Sequence, residues 1–277
     1  MRISISNIAW DTSQDDAVSK LMAKHHIDAI DIAPGKYFPD PKKASDKEIA
    51  KIRKQWTTRG VSIVGMQSLL FGTSGLNVFG NRAVQKEMLE HLRGVMRVAV
   101  GLGIQPLVFG SPKNRDRQGL NDGETREVAC AFFSEVGDMA QQEGVVICLE
   151  PNPECYGANF MTCSAEAMAM VELIDHPAIK MQLDTGASAI NHENVAKIIE
   201  GFEDKIGHIH LSEPGLLPLG RSEVDHQKVA RQLNRLLPRH IATIEMLIPH
   251  NEAVLSVIDE ALSFVTRNYR DCTGDAT

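Results

Sequence analysis

Val145-Val146-Ile147-Cys148-Leu149-Glu150-Pro151-Asn152-Pro153 joins a short apolar run to a carboxylate and then to two prolines. An apolar run of this length closed by turn residues reads as a strand buried on both faces, and proline continues neither a sheet interior nor a helix. The segment is a buried strand that ends in an acid. The arrangement returns at Met181-Gln182-Leu183-Asp184-Thr185-Gly186, at Ile206-Gly207-His208-Ile209-His210-Leu211 and at Ile241-Ala242-Thr243-Ile244-Glu245-Met246. Four strand ends thus offer Glu150, Asp184, His210 and Glu245, three carboxylates and one imidazole, a set suited to a divalent cation.

Working outward, each of these groups follows the last by about one strand and one crossover helix, ~30 residues. Upstream, apolar runs at 3–8, 29–33, 61–66 and 104–109 read as four more strands. Helical patterns fall between the strands, at 14–25, 46–59, 125–142, 165–174, 194–202, 226–237 and 252–267, and Met88, Leu92, Val95, Met96 and Ala99 repeat at helical spacing as a core face. Eight strands alternating with helices predict an α/β chain folded as one (β/α)8 barrel over residues 1–270, with 271–277 a frayed tail. No GxGxxG follows the first strand, so no nucleotide cofactor is expected. In such a barrel the strand C-termini share one face, and the four groups would converge there.

Composition narrows the partners. The 277 residues are 43% hydrophobic and 23% charged, ordinary for a globular chain, and the formal charge of −7 argues against nucleic acid as a partner. No apolar run reaches the ~20 residues of a membrane span, and the start lacks an export pattern. The five cysteines, Cys130, Cys148, Cys155, Cys163 and Cys272, form no CxxC pair and read as reduced thiols of a cytoplasmic protein.

Three carboxylates and one imidazole form a mainly hard site, which suits one Mn2+ first, with Mg2+ or Co2+ as alternatives. A cation there could hold a hydroxyl and a neighbouring carbonyl oxygen of a substrate. It would then stabilise the enediolate left when the carbon between them loses its proton, with two glutamates as base and acid on opposite faces.

These residues resemble the xylose-isomerase-like TIM-barrel superfamily of sugar isomerases and epimerases, which includes proteins of the D-tagatose 3-epimerase and hydroxypyruvate isomerase kind. The resemblance runs from Ile3-Ser4-Ile5 to Glu245 and is carried by Leu149-Glu150-Pro151, Leu183-Asp184-Thr185-Gly186, His208-Ile209-His210-Leu211-Ser212-Glu213 and Ile244-Glu245. It implies a metal held by Glu150, Asp184, His210 and Glu245, catalysis by Glu150 and Glu245, and Arg221 holding substrate oxygens. It also implies a small sugar or sugar derivative as the partner and a homodimer or homotetramer. Ala187 stands where many members carry a histidine. The distant endonuclease IV pattern needs histidines near Met66-Gln67-Ser68 and Phe109-Gly110-Ser111 that this chain lacks.

Further expectations come from position. Period two places Cys148, Gln182, His208 and Thr243 one layer below the four groups, and Gln182 and His208 are expected to orient them. Gln67 opens a long glycine-rich segment, 67–81, suited to a flap over a site. Lys113, Arg115 and Arg117 offer positive charge to a phosphate or carboxylate, with Arg115 a substrate-binding candidate. Trp10, with Tyr37 and Phe38, would line a sugar pocket or pack at the rim, and Glu213 would contact substrate or a ligand. The alternatives to an isomerase or epimerase are dehydration of a keto-inositol or keto-sugar at the same site, and a non-catalytic sugar- or partner-binding barrel.

Overall fold

A computed structural model describes residues 1–270; the expected tail, 271–277, and Cys272 within it lie outside the described residues. The strands are β1 (Arg2–Ser6), β2 (Ala29–Ile32), β3 (Ser62–Met66), β4 (Pro106–Phe109), β5 (Val146–Leu149), β6 (Ile179–Asp184), β7 (Ile206–Leu211) and β8 (Ile241–Ile244). The helices are α1 (Asp15–Lys24), α2 (Asp46–Thr58), α3 (Arg82–Leu102), α4 (Asp122–Glu143), α5 (Ser164–Ile174), α6 (Thr185–Ile190), α7 (Val195–Ile199), α8 (His226–Leu236) and α9 (Val254–Val265). Each strand pairs in parallel with the next, and β8 returns to β1 with Ile5 opposite Ile244, which closes a (β/α)8 barrel. The predicted (β/α)8 barrel is the fold observed.

Local chemistry sets the helix starts. Ser45 and Glu48 cap α2 reciprocally, as do Asn121 and Glu124 for α4, so each pair satisfies donors at an otherwise open first turn. The apolar stripe expected on α3 is buried at Met88, Leu92, Val95, Met96 and Ala99. The main departure follows β6. A helix begins directly at Thr185 because the Asp184 carboxylate accepts the Ala187 N–H at 2.6 Å and caps it. The helix expected over 194–202 is only the short α7, since Glu200 leaves helical geometry with ψ at 114°.

Apolar side chains fill the space between barrel and helices, but part of the barrel interior is polar. Ser4, Asp31, Gln182, His208 and Thr243 are all buried there, on β1, β2, β6, β7 and β8. The chain's last described turn, Thr266–Arg270, returns to its start: the Arg270 guanidinium donates to the His25 and His26 carbonyls beyond α1. No helix among the described residues is long and apolar enough to cross a membrane.

Candidate metal centre

The C-terminal ends of β5 to β8 bring Glu150, Asp184, His210 and Glu245 together, with one ligand atom of each within 4.8 Å of all the others. His210 Nδ1 faces both glutamates, at 3.4 Å from Glu150 Oε1 and 3.2 Å from Glu245 Oε2. The imidazole is fully buried and Asp184 and Glu245 are nearly so. Such crowding of like charge away from water is unfavourable without a counter-cation. It shows in the ionisation: burial, followed by the charges of Glu245 and Glu150, pushes the Asp184 carboxyl up to about 7. Burial opposes charge on His210, but the Glu245 charge and the close carboxylates of Asp31, Glu150 and Glu245 outweigh it and raise the imidazole well above its usual range. An acidic, buried, four-donor cluster with one imidazole fits a divalent cation, and no change of fold is needed to bring the donors together.

Each group is held from behind. Ser212 Oγ donates to both Asp184 oxygens at 2.8 Å, so Asp184 is helix cap and site member at once. Gln67 Nε2 donates to Glu245 Oε1 at 2.5 Å across the barrel mouth, and Asn152 Nδ2 donates to Glu150 Oε2 at 3.1 Å from between the two prolines. Gly110 lies against the Glu150 carboxylate so closely that any Cβ there would overlap it. With its amide oriented to satisfy its neighbours, Gln182 donates to the His208 carbonyl at 3.2 Å and accepts from the His210 N–H at 3.1 Å.

Asp31 is the participant that sequence reasoning missed. Its Oδ2 lies 2.6 Å from His208 Nε2 and 3.8 Å from His210 Nε2, and Ser4 Oγ donates to its Oδ1 at 3.4 Å. Burial works against its charge, but His208 and His210 more than compensate and hold the carboxyl well below the usual range. Gly65 makes the room, since a Cβ there would collide with the Asp31 side chain. The available signal was an acid alone inside the apolar run Ala29-Ile30-Asp31-Ile32. Asp31, His208 and His210 also form a group that could hold a cation. The 2.6 Å contact between two of its members is already a hydrogen-bond distance.

The other expected residues are placed as follows. Glu213 is fully buried and turned toward His226 Nε2 at 2.9 Å, the Gly220 N–H at 2.7 Å and the Ser222 hydroxyl. Trp10 is buried, its indole N–H donating to Asp15 Oδ1 at 2.9 Å, while the Tyr37 hydroxyl donates to Asp15 Oδ2 at 2.9 Å. The Arg221 guanidinium is engaged by Glu252 at 2.7 and 2.8 Å and by Glu260 at 3.2 Å. Arg115 is almost completely buried, and none of its guanidinium nitrogens has a hydrogen-bond partner among the described residues. The segment 67–81 is tied to the loop after β4, with the Val78 N–H donating to Asn114 O and Asn114 Nδ2 to Leu76 O.

Two cavities of about 210 Å³ each reach the site, and both are lined by Glu150 and Glu245. One extends under Gln67 toward Ser111 and Lys113, the other past Asp184 toward Tyr156 and Ala187.

The sequence matches the family described as xylose isomerase-like TIM barrel over residues 19–267. The chain belongs to that family. Among curated proteins, a D-psicose 3-epimerase from Enterocloster bolteae is 27% identical over 52% of this chain and 46% of its own length. The match therefore spans less than half of that relative. Among solved structures, D-psicose 3-epimerase with D-tagatose from Clostridium cellulolyticum H10 superposes with a TM-score of 0.79, at 17% identity over 98% of each chain. The IOLI protein with a bound zinc atom gives a TM-score of 0.75 at 17% identity over 99% of this chain and 100% of its own. At these identities the structures attest the shared barrel.

Proposed function

We propose that this protein is a divalent-metal-dependent sugar isomerase or epimerase that moves a proton between the two faces, or between adjacent carbons, of a small ketose or ketose derivative. The observation that carries the reading is the approach of Glu150 and Glu245 from separate strands to one small space, where both carboxylates come within 3.4 Å of His210 Nδ1. Two carboxylates so arranged suit a reaction that removes a proton on one side of a carbon and returns one on the other. The 3-epimerase relative supports the same substrate class.

In this reading Glu150, Asp184, His210 and Glu245 hold the cation, with Mn2+ the first choice for three carboxylates and one imidazole and Mg2+ or Co2+ next. When bound, the cation supplies positive charge against adjacent substrate oxygens and makes the intervening C–H bond more acidic. Glu245, fixed by Gln67, is one proton carrier. Its carboxyl is burdened by burial but held below the usual range by the His210 charge and by hydrogen bonds, and so is kept ionised as a base. Glu150, fixed by Asn152, faces it as the other. The surrounding burial excludes water that would compete for the proton.

Solvent deuterium uptake tests this. Mn2+-loaded protein is expected to exchange a carbon-bound hydrogen of a ketose for deuterium and to release an isomer, with both activities lost in Glu245→Gln. Undiminished exchange in that variant would remove the proton-carrier assignment, and release of water with a dehydrated product would replace isomerisation by elimination.

A further inference from the structure

The loop after β4 carries a feature that the acid-base pair leaves unused. Arg115 sits at the end of the 3-10 turn Pro112–Arg115, is 1% exposed, and has no hydrogen-bond partner at Nε or either terminal nitrogen among the described residues. Burial drives its guanidinium down to about 10, and the charge of Glu150 is the opposing influence, although the two form no ion pair. Two residues earlier in the same turn, Lys113 lines the cavity that contains Glu150, Glu245 and Gln67. It is exposed and makes no ion pair among the described residues. Among the described residues it is the single cation lining either this cavity or the one past Asp184.

A buried guanidinium without an acceptor is costly, and fixed positive charge in a weakly screened setting acts over several ångströms. One arm of the site therefore has a cation, Lys113, in its lining, and the other, past Asp184 and Tyr156, has none among the described residues. Arg221, the arginine expected to hold substrate oxygens, is occupied by Glu252 and Glu260. The unengaged positive charge lies instead on the β4 loop.

We infer that Lys113 and Arg115 form a subsite for an anionic substituent, a carboxylate or a phosphate ester, at the end of the substrate remote from the reacting carbon. Lys113 is the contacting group, and Arg115 supplies fixed charge from within the fold. The inference rests on the proposed function for the identity of the reacting end, while the anion subsite stands on its own geometry. Ser111, which lines the same cavity, offers a hydroxyl beside the turn.

The test compares D-fructose, D-fructose 6-phosphate and the matching 6-carboxylate as substrates for deuterium exchange by Mn2+-loaded protein, and titrates the same protein with inorganic phosphate. The anionic ketoses should show KM values at least tenfold below that of the neutral one. Lys113→Ala should raise KM for the anionic ketoses at least tenfold more than for D-fructose and weaken phosphate binding in parallel. Arg115→Met should act in the same direction and Arg115→Lys should restore most of the difference. A preference between the two anions identifies the substituent. Exchange that favours D-fructose and is insensitive to Lys113→Ala overturns the subsite and leaves the isomerase reading standing. No exchange with any ketose, but phosphate binding lost in Lys113→Ala, overturns the isomerase reading and upholds the subsite. Phosphate binding unchanged in Lys113→Ala, without any exchange, overturns both. Lys113 is exposed, so its variant remains informative if the Arg115 variants fail to fold.

Discussion

At the scale of single residues, the four convergent groups depend on neighbours that touch no ligand. Gly110 is the sharpest case, because a methyl group there would occupy the place of the Glu150 carboxylate. Gly110→Ala is expected to leave the circular dichroism spectrum unchanged and to weaken Mn2+ binding by tenfold or more, read by calorimetric titration. Gln182→Leu should also weaken metal binding, since it removes the amide oxygen that accepts from the His210 N–H and Nδ1 and so leaves the imidazole less firmly oriented. Unchanged affinity would show that Gln182 only fills space. Glu150, Asp184, His210, Glu245 and the polar layer under them were legible in the sequence, because strand period two ties position to depth. Asp31 was not, because one carboxylate in an apolar tetrapeptide gives no sign of its partner 177 residues away. The engagement of Arg221 by Glu252 and Glu260 is hidden for the same reason: it joins segments distant in sequence.

At the scale of elements, α6 shows one side chain serving two ends. Asp184 finishes β6, caps the following helix through the Ala187 N–H, and presents its carboxylate to the site. Asparagine can keep the cap and alanine cannot, so Asp184→Asn should be more stable than Asp184→Ala by about 1 kcal/mol in urea unfolding without metal. Both should lose most of their metal affinity. Equal stability of the two variants would show that the cap contributes nothing. Strand and helix positions were readable from apolar runs, and the boundaries mostly fell within a few residues. The helix α6 was missed because an acid at a strand end is read as a cap or as a ligand, and here the same carboxylate is both.

At the scale of the whole molecule, the crowded carboxylates would make the folded barrel the tight binder of a cation, so binding would be linked to stability. Mn2+ at about 100 times its dissociation constant should stabilise the protein by about 2.7 kcal/mol, a rise of several degrees in melting temperature that chelator reverses. No such rise should appear in Asp184→Ala. Thiol reactivity follows the barrel's layering too. Cys148 lies inside β5, and burial pushes its thiol up to about 12, whereas Cys155 is exposed. Alkylation at pH 8 should therefore label Cys155 quickly and leave Cys148 untouched until the barrel unfolds. The closure of β8 against β1 bears on how the protein is made. A nascent chain emerging from the ribosome exposes Glu150, Asp184 and His210 well before Glu245, yet the wall that holds them is incomplete until its final strand pairs with its first. The cluster of four donors should thus form in one step late in translation, and a stalled chain ending before residue 241 should be a target for the cell's proteases and chaperones rather than a weak metal binder.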